Sequence, residues 1–158
     1  DEKKPLCIAG VFGGKDSGVT ENTKDIFIES AYFDPAFVRR TAKRYGLKTD
    51  ASFRFERGTD PEITVKALLR AAGLVFEIAG GVAGMDVLDI YPQPLEPYRV
   101  AFSYNNCNEL IGKNIDHLQI KNILLELGME IESEGGDAIL LRIPRYKTDV
   151  TREADVIE

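Results

Sequence analysis

Three prolines within six residues, Pro92-Gln-Pro-Leu-Glu-Pro97, constrain this 158-residue chain more than any other stretch. Proline fixes its own φ and offers no backbone N–H, so neither a helix interior nor a central strand can run through such a cluster. The chain is expected to divide there into two modules, residues 1–91 and 98–158, joined by a stiff connector at 92–97. One or two domains of ordinary size suit this length.

In the first module, the apolar run at 6–11 predicts a short strand leading into the glycine turn Gly10-Val-Phe-Gly-Gly14, and residues 25–33 predict a second strand. Asp34-Pro35 is a cap followed by a first-turn proline, so a helix is expected through about Tyr45, closed by Gly46. Residues 49–56 alternate, with Ala51, Phe53 and Phe55 against Ser52, Arg54 and Glu56, which predicts another strand. Asp60-Pro61 repeats the capping device and opens a longer helix. Its packed face would carry Ile63, Leu68, Leu69, Ala72, Val75, Phe76 and Ile78, and Gly80-Gly81 would end it. A last strand is expected at 85–91.

Beyond the connector the pattern predicts a strand at 99–104, helices at 105–111 and 116–127, and a hairpin of 130–134 and 138–143 turning at Gly135-Gly136. A short helix is expected from about Thr151. The expected class is α+β, a partial α/β layer followed by a small winged-helix-like module. Asp137 and the hairpin glutamates make that wing acidic and poorly suited to phosphate.

A composition of 44% apolar and 29% charged residues is that of an ordinary globular protein, and no apolar run approaches the roughly 20 residues that span a bilayer. The start has no secretory pattern, so a cytoplasmic location is expected. Cys7 and Cys107 stand far apart without a Cys-x-x-Cys pairing, which suggests neither a disulfide framework nor zinc. The net charge of −6 argues against a dedicated DNA-binding protein. Locally the balance reverses, with seven basic against two acidic residues between 39 and 57.

Taken by their residue types alone, the candidates have ordinary explanations. Glu29, with Ile26 and Ile28 on one face of its segment and Phe27 and Ala31 on the other, must be ion-paired, with Arg54 for instance, or exposed by an opening. Thr49 and Ala51 would serve turn formation and packing. Arg39, Arg40, Lys43 and Arg44 would form a solvated helix face. Asp149, Asp155 and Glu158 would favour a helix start through its dipole. Gly14-Lys15 approaches a phosphate-binding loop, but the first glycine is displaced and Asp16 stands where a Ser or Thr should hold magnesium. The lone histidine, His117, falls at a helix start in the second module and supports no local catalytic dyad.

Thr49-Asp-Ala-Ser-Phe-Arg-Phe-Glu-Arg-Gly-Thr-Asp-Pro61, together with Gly10-Val-Phe-Gly-Gly14 and Ile28-Glu-Ser-Ala-Tyr-Phe-Asp-Pro35, resembles the bacterial phenylalanyl-tRNA synthetase beta subunit. The resemblance implies the C-terminal part of a tRNA-editing domain followed by a winged-helix-like domain. It further implies that Glu29 recognises the phenolic hydroxyl of tyrosine misattached to the phenylalanine tRNA. Thr49 and Ala51 would shape the pocket, and Gly10 would supply backbone contacts. An aminoacylation pocket rejects one extra hydroxyl imperfectly, whereas a separate hydrolytic site can select it. No general acid or base is assigned, because the family draws pocket residues, a histidine among them, from upstream of this stretch. The chain is expected to be an excised segment that hydrolyses mischarged tRNA weakly or not at all.

The resemblance also implies magnesium at Asp149, Asp155 and Glu158, while the basic helix face of Arg39, Arg40, Lys43 and Arg44 could attract tRNA phosphates through counterion release. ATP would be used by the parent enzyme without being bound by this segment. The implied partners are the alpha subunit in an alpha2beta2 assembly, the phenylalanine tRNA and mischarged tyrosyl-tRNA. Two other classes of function stay open, a non-catalytic amino-acid or RNA-binding module and a structural subunit-interface piece.

Overall fold

The computed structural model describes residues 2–158. They form two compact units divided between Pro92 and Gln93. The class is α+β, combining helices with a three-stranded antiparallel sheet.

The first unit is helical. Helix α1, Pro35–Tyr45, starts where Asp34 Oδ1 accepts the N–H groups of Ala36 and Phe37, at 2.8 and 3.2 Å. It stops at Gly46, whose φ of 66° lets the chain turn left-handed while Leu47 N–H donates back to the Ala42 carbonyl. Helix α2 is Asp50–Phe55, and a 3-10 turn at Pro61–Ile63 leads into helix α3, Thr64–Ala79, ended by Gly80. A small core of Val11, Val38 and Ala42 is flanked by Phe33, Leu47 and Phe55.

Three expectations fail here for one reason. Residues 6–11 form only an isolated bridge between Ile8 and Phe12, and residues 25–33 and 85–91 run without any ladder partner among the described residues. Apolar alternation makes a segment able to be a strand, but only a neighbour's N–H and C=O groups make it one. The apolar side chains of these segments stay open, Phe27 at 83% exposure and Leu88 and Ile90 at 73% each. Helix α3 forms as expected, yet none of its residues is buried, so its apolar face is not the packed face anticipated.

Residues 49–56 are the fourth correction, because they form a helix and not a strand. Thr49 Oγ1 accepts the Ser52 N–H at 3.0 Å while Ser52 Oγ accepts the Thr49 N–H at 3.0 Å, a reciprocal capping box. Two backbone donors that would be orphaned at a helix start are thus satisfied by two side chains three residues apart. Local pairing of that kind outweighs aromatic alternation when no ladder is at hand.

In the second unit, strands β1, Tyr98–Ser103, β2, Glu130–Gly135, and β3, Ala138–Ile143, form a sheet in the order β1-β3-β2. Helices α4, Tyr104–Ile111, and α5, His117–Glu126, lie in sequence between β1 and β2, and α6, Glu153–Ile157, ends the chain. Val100 and Phe102 on β1 and Ile139, Leu141 and Ile143 on β3 point into one core with Tyr104, Cys107, Ile120, Leu124, Met129 and Val156. The opposite face is charged, with Arg99 bonded to Glu132 and Arg142 to Glu130. Such exposed pairs contribute little to stability, but they keep that face wet. The hairpin turns through Gly136, at a φ of 59°, and Asp137, whose carboxylate accepts the Ser103 hydroxyl at 2.6 Å and the Asn105 N–H at 3.0 Å.

Candidate functional site

A groove of about 640 Å³ opens in the first unit, and Gly10, Glu29, Thr49 and Ala51 all line it. Three separate stretches converge there. The Gly10 turn forms one wall, the extended 29–33 segment another, and α2 the third. Val11 and Phe12 N–H groups both donate to the Ile8 carbonyl at 2.9 Å. The Gly10 N–H donates to no group among the described residues. Gly10 itself takes φ of 68° and packs so closely that an added Cβ would collide with the Phe33 ring and crowd Val38.

Helix geometry sets what α2 contributes. Ala51 and Phe55, four residues apart, share a face and both line the groove, as i and i+4 must. Phe53 does not, since it is exposed with the Arg57 guanidinium 3.5 Å from its ring centroid. Phe55 meets Phe33 edge-to-face at 4.9 Å, which fixes the floor of the groove.

Thr49 has less freedom than its residue type suggests. Its hydroxyl donates to the Val11 carbonyl at 2.5 Å and accepts from Ser52 N–H, so the single proton is committed. What remains is an acceptor site. The main work of Thr49 is to pin the start of α2 against the Gly10 turn. Ser52 and the Val11 carbonyl are therefore part of the site's construction, and the Thr-x-x-Ser spacing was the signal that could have found them.

Glu29 is exposed, and it faces solvent through the groove's open side and not from an apolar interior. Neither it nor Arg54 takes part in an ion pair among the described residues, so the pairing considered for them is absent. The carboxylate is an acceptor in reach of whatever enters the groove.

The four basic residues of α1 have different surroundings. Arg40 and Arg44 line a second groove of about 750 Å³ with Thr41 and Tyr45, sharing the wall of Cys7, Ile8 and Ala9 with the first. Arg39 instead donates to the Glu56 carbonyl at 3.1 Å and ties α1 to the end of α2. Cys7 is exposed and Cys107 buried, both unbridged, and burial beside Glu153 raises the Cys107 thiol above its ordinary range.

The B3/4 domain family profile matches residues 1–80, and the tRNA synthetase B5 domain profile matches residues 100–158. The chain belongs to the B3/4 domain family. This B3/4 chain, with the B5 domain after it, is 54% identical to the phenylalanine–tRNA ligase beta subunit of Porphyromonas gingivalis over 98% of its own length and 19% of that relative. It is 49% identical to the beta subunit of Bacteroides fragilis over its whole length and 19% of the relative, and 41% identical to that of Protochlamydia amoebophila over 20% of the relative. The chain thus spans about a fifth of the relatives it matches. The resemblance read from the three motifs extends over the whole sequence.

In the B5 part, Asp155 caps α6. Its carboxylate accepts the N–H groups of Thr151 and Arg152 at 3.1 and 2.9 Å and the Arg152 guanidinium at 2.8 Å. These bonds, the guanidinium foremost, hold it well below the usual carboxylate range. Among the described residues no three acidic, histidine or cysteine side chains converge to hold a metal ion, Asp149, Asp155 and Glu158 included. His117 opens α5 and stacks on Tyr104 at 4.0 Å. No helix among the described residues is long and apolar enough to cross a membrane.

The bonds that Asp155 accepts make its capping of α6 depend on pH. Its stabilisation of α6 is complete above the unfolded carboxylate's pKa of about 3.9 and is lost as the pH falls toward the lower folded value. Amide resonances of Thr151 and Arg152 are expected to hold steady from neutral pH to about pH 4 and to move only in more acidic solution. Asp155→Asn should abolish that titration. Movement centred above pH 5 would contradict the assignment.

Proposed function

We propose that this chain supplies the wall of a hydrolytic editing site for tyrosine misattached to the phenylalanine tRNA, within a phenylalanine–tRNA ligase. The observation that carries the reading is the convergence of Gly10, Glu29, Thr49 and Ala51 on one groove from three stretches of sequence. In this reading the amino-acid side chain enters between Ala51, Phe33 and Phe55, and its phenol donates a hydrogen bond to the Glu29 carboxylate. The ester carbonyl lies near the free Gly10 N–H. Water attacks that carbonyl, and the acyl–oxygen bond breaks to leave tyrosine and the ribose hydroxyl. No residue of this chain is assigned as general base, since no histidine lines the groove.

The parent enzyme of this proposal joins phenylalanine to its tRNA with ATP and magnesium, together with an alpha subunit in an alpha2beta2 assembly in the cytoplasm. No editing step is assigned to ATP or magnesium, and the magnesium would need ligands additional to Asp149, Asp155 and Glu158.

Because Glu29 is exposed, its discrimination is that of a solvated charge-assisted hydrogen bond, about 1.5 kcal/mol or roughly tenfold. Calorimetric titration is expected to show tyrosine bound about that much more tightly than phenylalanine, with the difference erased in Glu29→Ala. Equal affinities in the unsubstituted chain would overturn the reading. A second reading, a subunit-interface piece, is favoured by the exposed Phe27, Leu88 and Ile90. Co-purification with an alpha subunit, without tyrosine binding, would select it.

A further inference from the structure

The groove that holds Glu29 is lined by a second carboxylate to which the editing reading gives no task, that of Asp50. Asp50 is the first residue of α2, directly after the Thr49 cap, and it is exposed. A negative charge suits a helix start, so its placement costs the helix nothing. Among the described residues neither Asp50 nor Glu29 takes part in an ion pair. No lysine, arginine or histidine among them lines this groove, since Arg40 and Arg44 belong to the second one. Two acidic groups therefore stand over an apolar floor of Phe33, Ala51 and Phe55 with no counter-charge in the lining. A cleft lined by one sign of charge focuses its field on whatever enters.

We infer that this groove selects its ligand by net charge, taking an aromatic amino acid as a cationic ester or amide and disfavouring the same amino acid as a free zwitterion. An esterified amino acid carries an α-ammonium and no carboxylate, so Asp50 and Glu29 both attract it. A free amino acid brings its own carboxylate beside the ammonium, and repulsion offsets the attraction. Asp50 is the partner of the ammonium, because Glu29 is given to the phenol. That division of roles rests on the editing reading, though the charge preference does not. Hydrolysis then turns the fit around. Water adds its oxygen to the acyl carbon, the ribose oxygen departs with the bonding electron pair and one proton of the water, and the other proton passes to solvent. A carboxylate is left where the ester stood, in a groove that already holds two negative groups. The same charges that admit the ester thus favour release of the product.

The test is calorimetric titration of the whole chain with tyrosinamide and with tyrosine at pH 6, below the α-amino range of about 7.7–8.0. Both carry the phenol and the ammonium, and only tyrosine carries a carboxylate. An exposed ion pair is worth up to about fivefold in affinity, and two carboxylates act here. Tyrosinamide is expected to bind at least about fivefold more tightly than tyrosine at low salt. Phenylalaninamide should exceed phenylalanine by the same factor, because the phenol plays no part in the difference. In 1 M salt, where the screening length is about 3 Å, the preference should fall below about twofold. Asp50→Asn keeps the shape of the side chain and should at least about halve the low-salt preference, leaving the ratio of tyrosine to phenylalanine intact. Glu77→Gln on α3 removes an equal charge outside both grooves and should change neither quantity. No binding of tyrosinamide, equal affinity for tyrosinamide and tyrosine, a preference indifferent to salt, or an unaltered preference in Asp50→Asn with native circular dichroism would overturn the inference. The two proposals separate cleanly. A preference for amides without any for tyrosine over phenylalanine sinks the editing reading alone, and the converse sinks the charge selection alone.

Discussion

Gly10→Ala is expected to destabilise the first unit by about 2–5 kcal/mol and to close the groove to tyrosine. Two costs combine. A φ of 68° is the left-handed region, which a residue with a Cβ enters at about 1–2 kcal/mol. The added methyl would also stand 2.8 Å from Phe33 Cδ2 and 3.2 Å from Val38 Cγ2. Val38 is buried and Phe33 is locked edge-to-face against Phe55, so neither can yield cheaply, and overpacking of this kind costs about 1–3 kcal/mol. The disturbance reaches the groove directly, since Phe33 and Phe55 both line it. Gly13→Ala provides the comparison, because nothing lies within 4 Å of its added Cβ. Urea unfolding followed by the circular dichroism of the first unit, with tyrosine titration alongside, measures both effects. Equal midpoints for the two variants would show that the Gly10 turn is not held as described.

How far the sequence could be read depended on where each element finds its hydrogen bonds. Elements that satisfy themselves were legible. Asp34-Pro35 and Gly46 bracket α1 as expected, and Asp60-Pro61 and Gly80 bracket the turn and helix that follow, because caps and helix bonds are local. The hairpin and β1 were legible too, since their partners lie within the same short module and their alternation matches one buried face. The first unit is where expectation failed. Residues 25–33 carry strand-like side chains, but the described residues offer them no ladder, and periodicity says nothing about who the partner is.

The 49–56 error is of another kind. Ala51, Phe53 and Phe55 alternate, yet the deciding groups are the hydroxyls of Thr49 and Ser52, which close a capping box and start a helix. Even so, the candidate residues meet in one place, because Ala51 lines the groove from a helix as it would have from a strand. Which of the two states left open for Glu29, ion-paired or exposed, holds was not legible. A carboxylate among Ile26, Phe27 and Ile28 reads as buried only if a sheet covers that segment, and here Phe27 itself is open. The consequence for chemistry is quantitative, because an exposed Glu29 discriminates as a solvated acceptor and not as a buried, unsatisfiable one.

Phe102→Ala is expected to cost the second unit about 3–5 kcal/mol, enough to unfold much of it. Phe102 is 1% exposed on β1, opposite Ile139 of β3, and meets Tyr104 edge-to-face at 5.9 Å. Removing the ring strips contacts from the sheet and from the buried tyrosine that opens α4. Tyr104 in turn stacks on His117 and reaches Glu134, which is paired with Lys121, so the loss spreads to α5 and β2. A domain of this size has only a few kcal/mol to lose, which makes one deleted ring comparable to the whole. Leu110→Ala, 61% exposed on α4, removes apolar carbon from the surface and not from the core, and is expected to cost under about 1 kcal/mol. Amide hydrogen exchange distinguishes the outcomes residue by residue. Protection along β3 should collapse in Phe102→Ala and persist in Leu110→Ala, while α1 keeps its protection in both. That last expectation follows from the separate core of Val11, Val38 and Ala42, and loss of α1 protection together with β3 would mean that the two units fold as one.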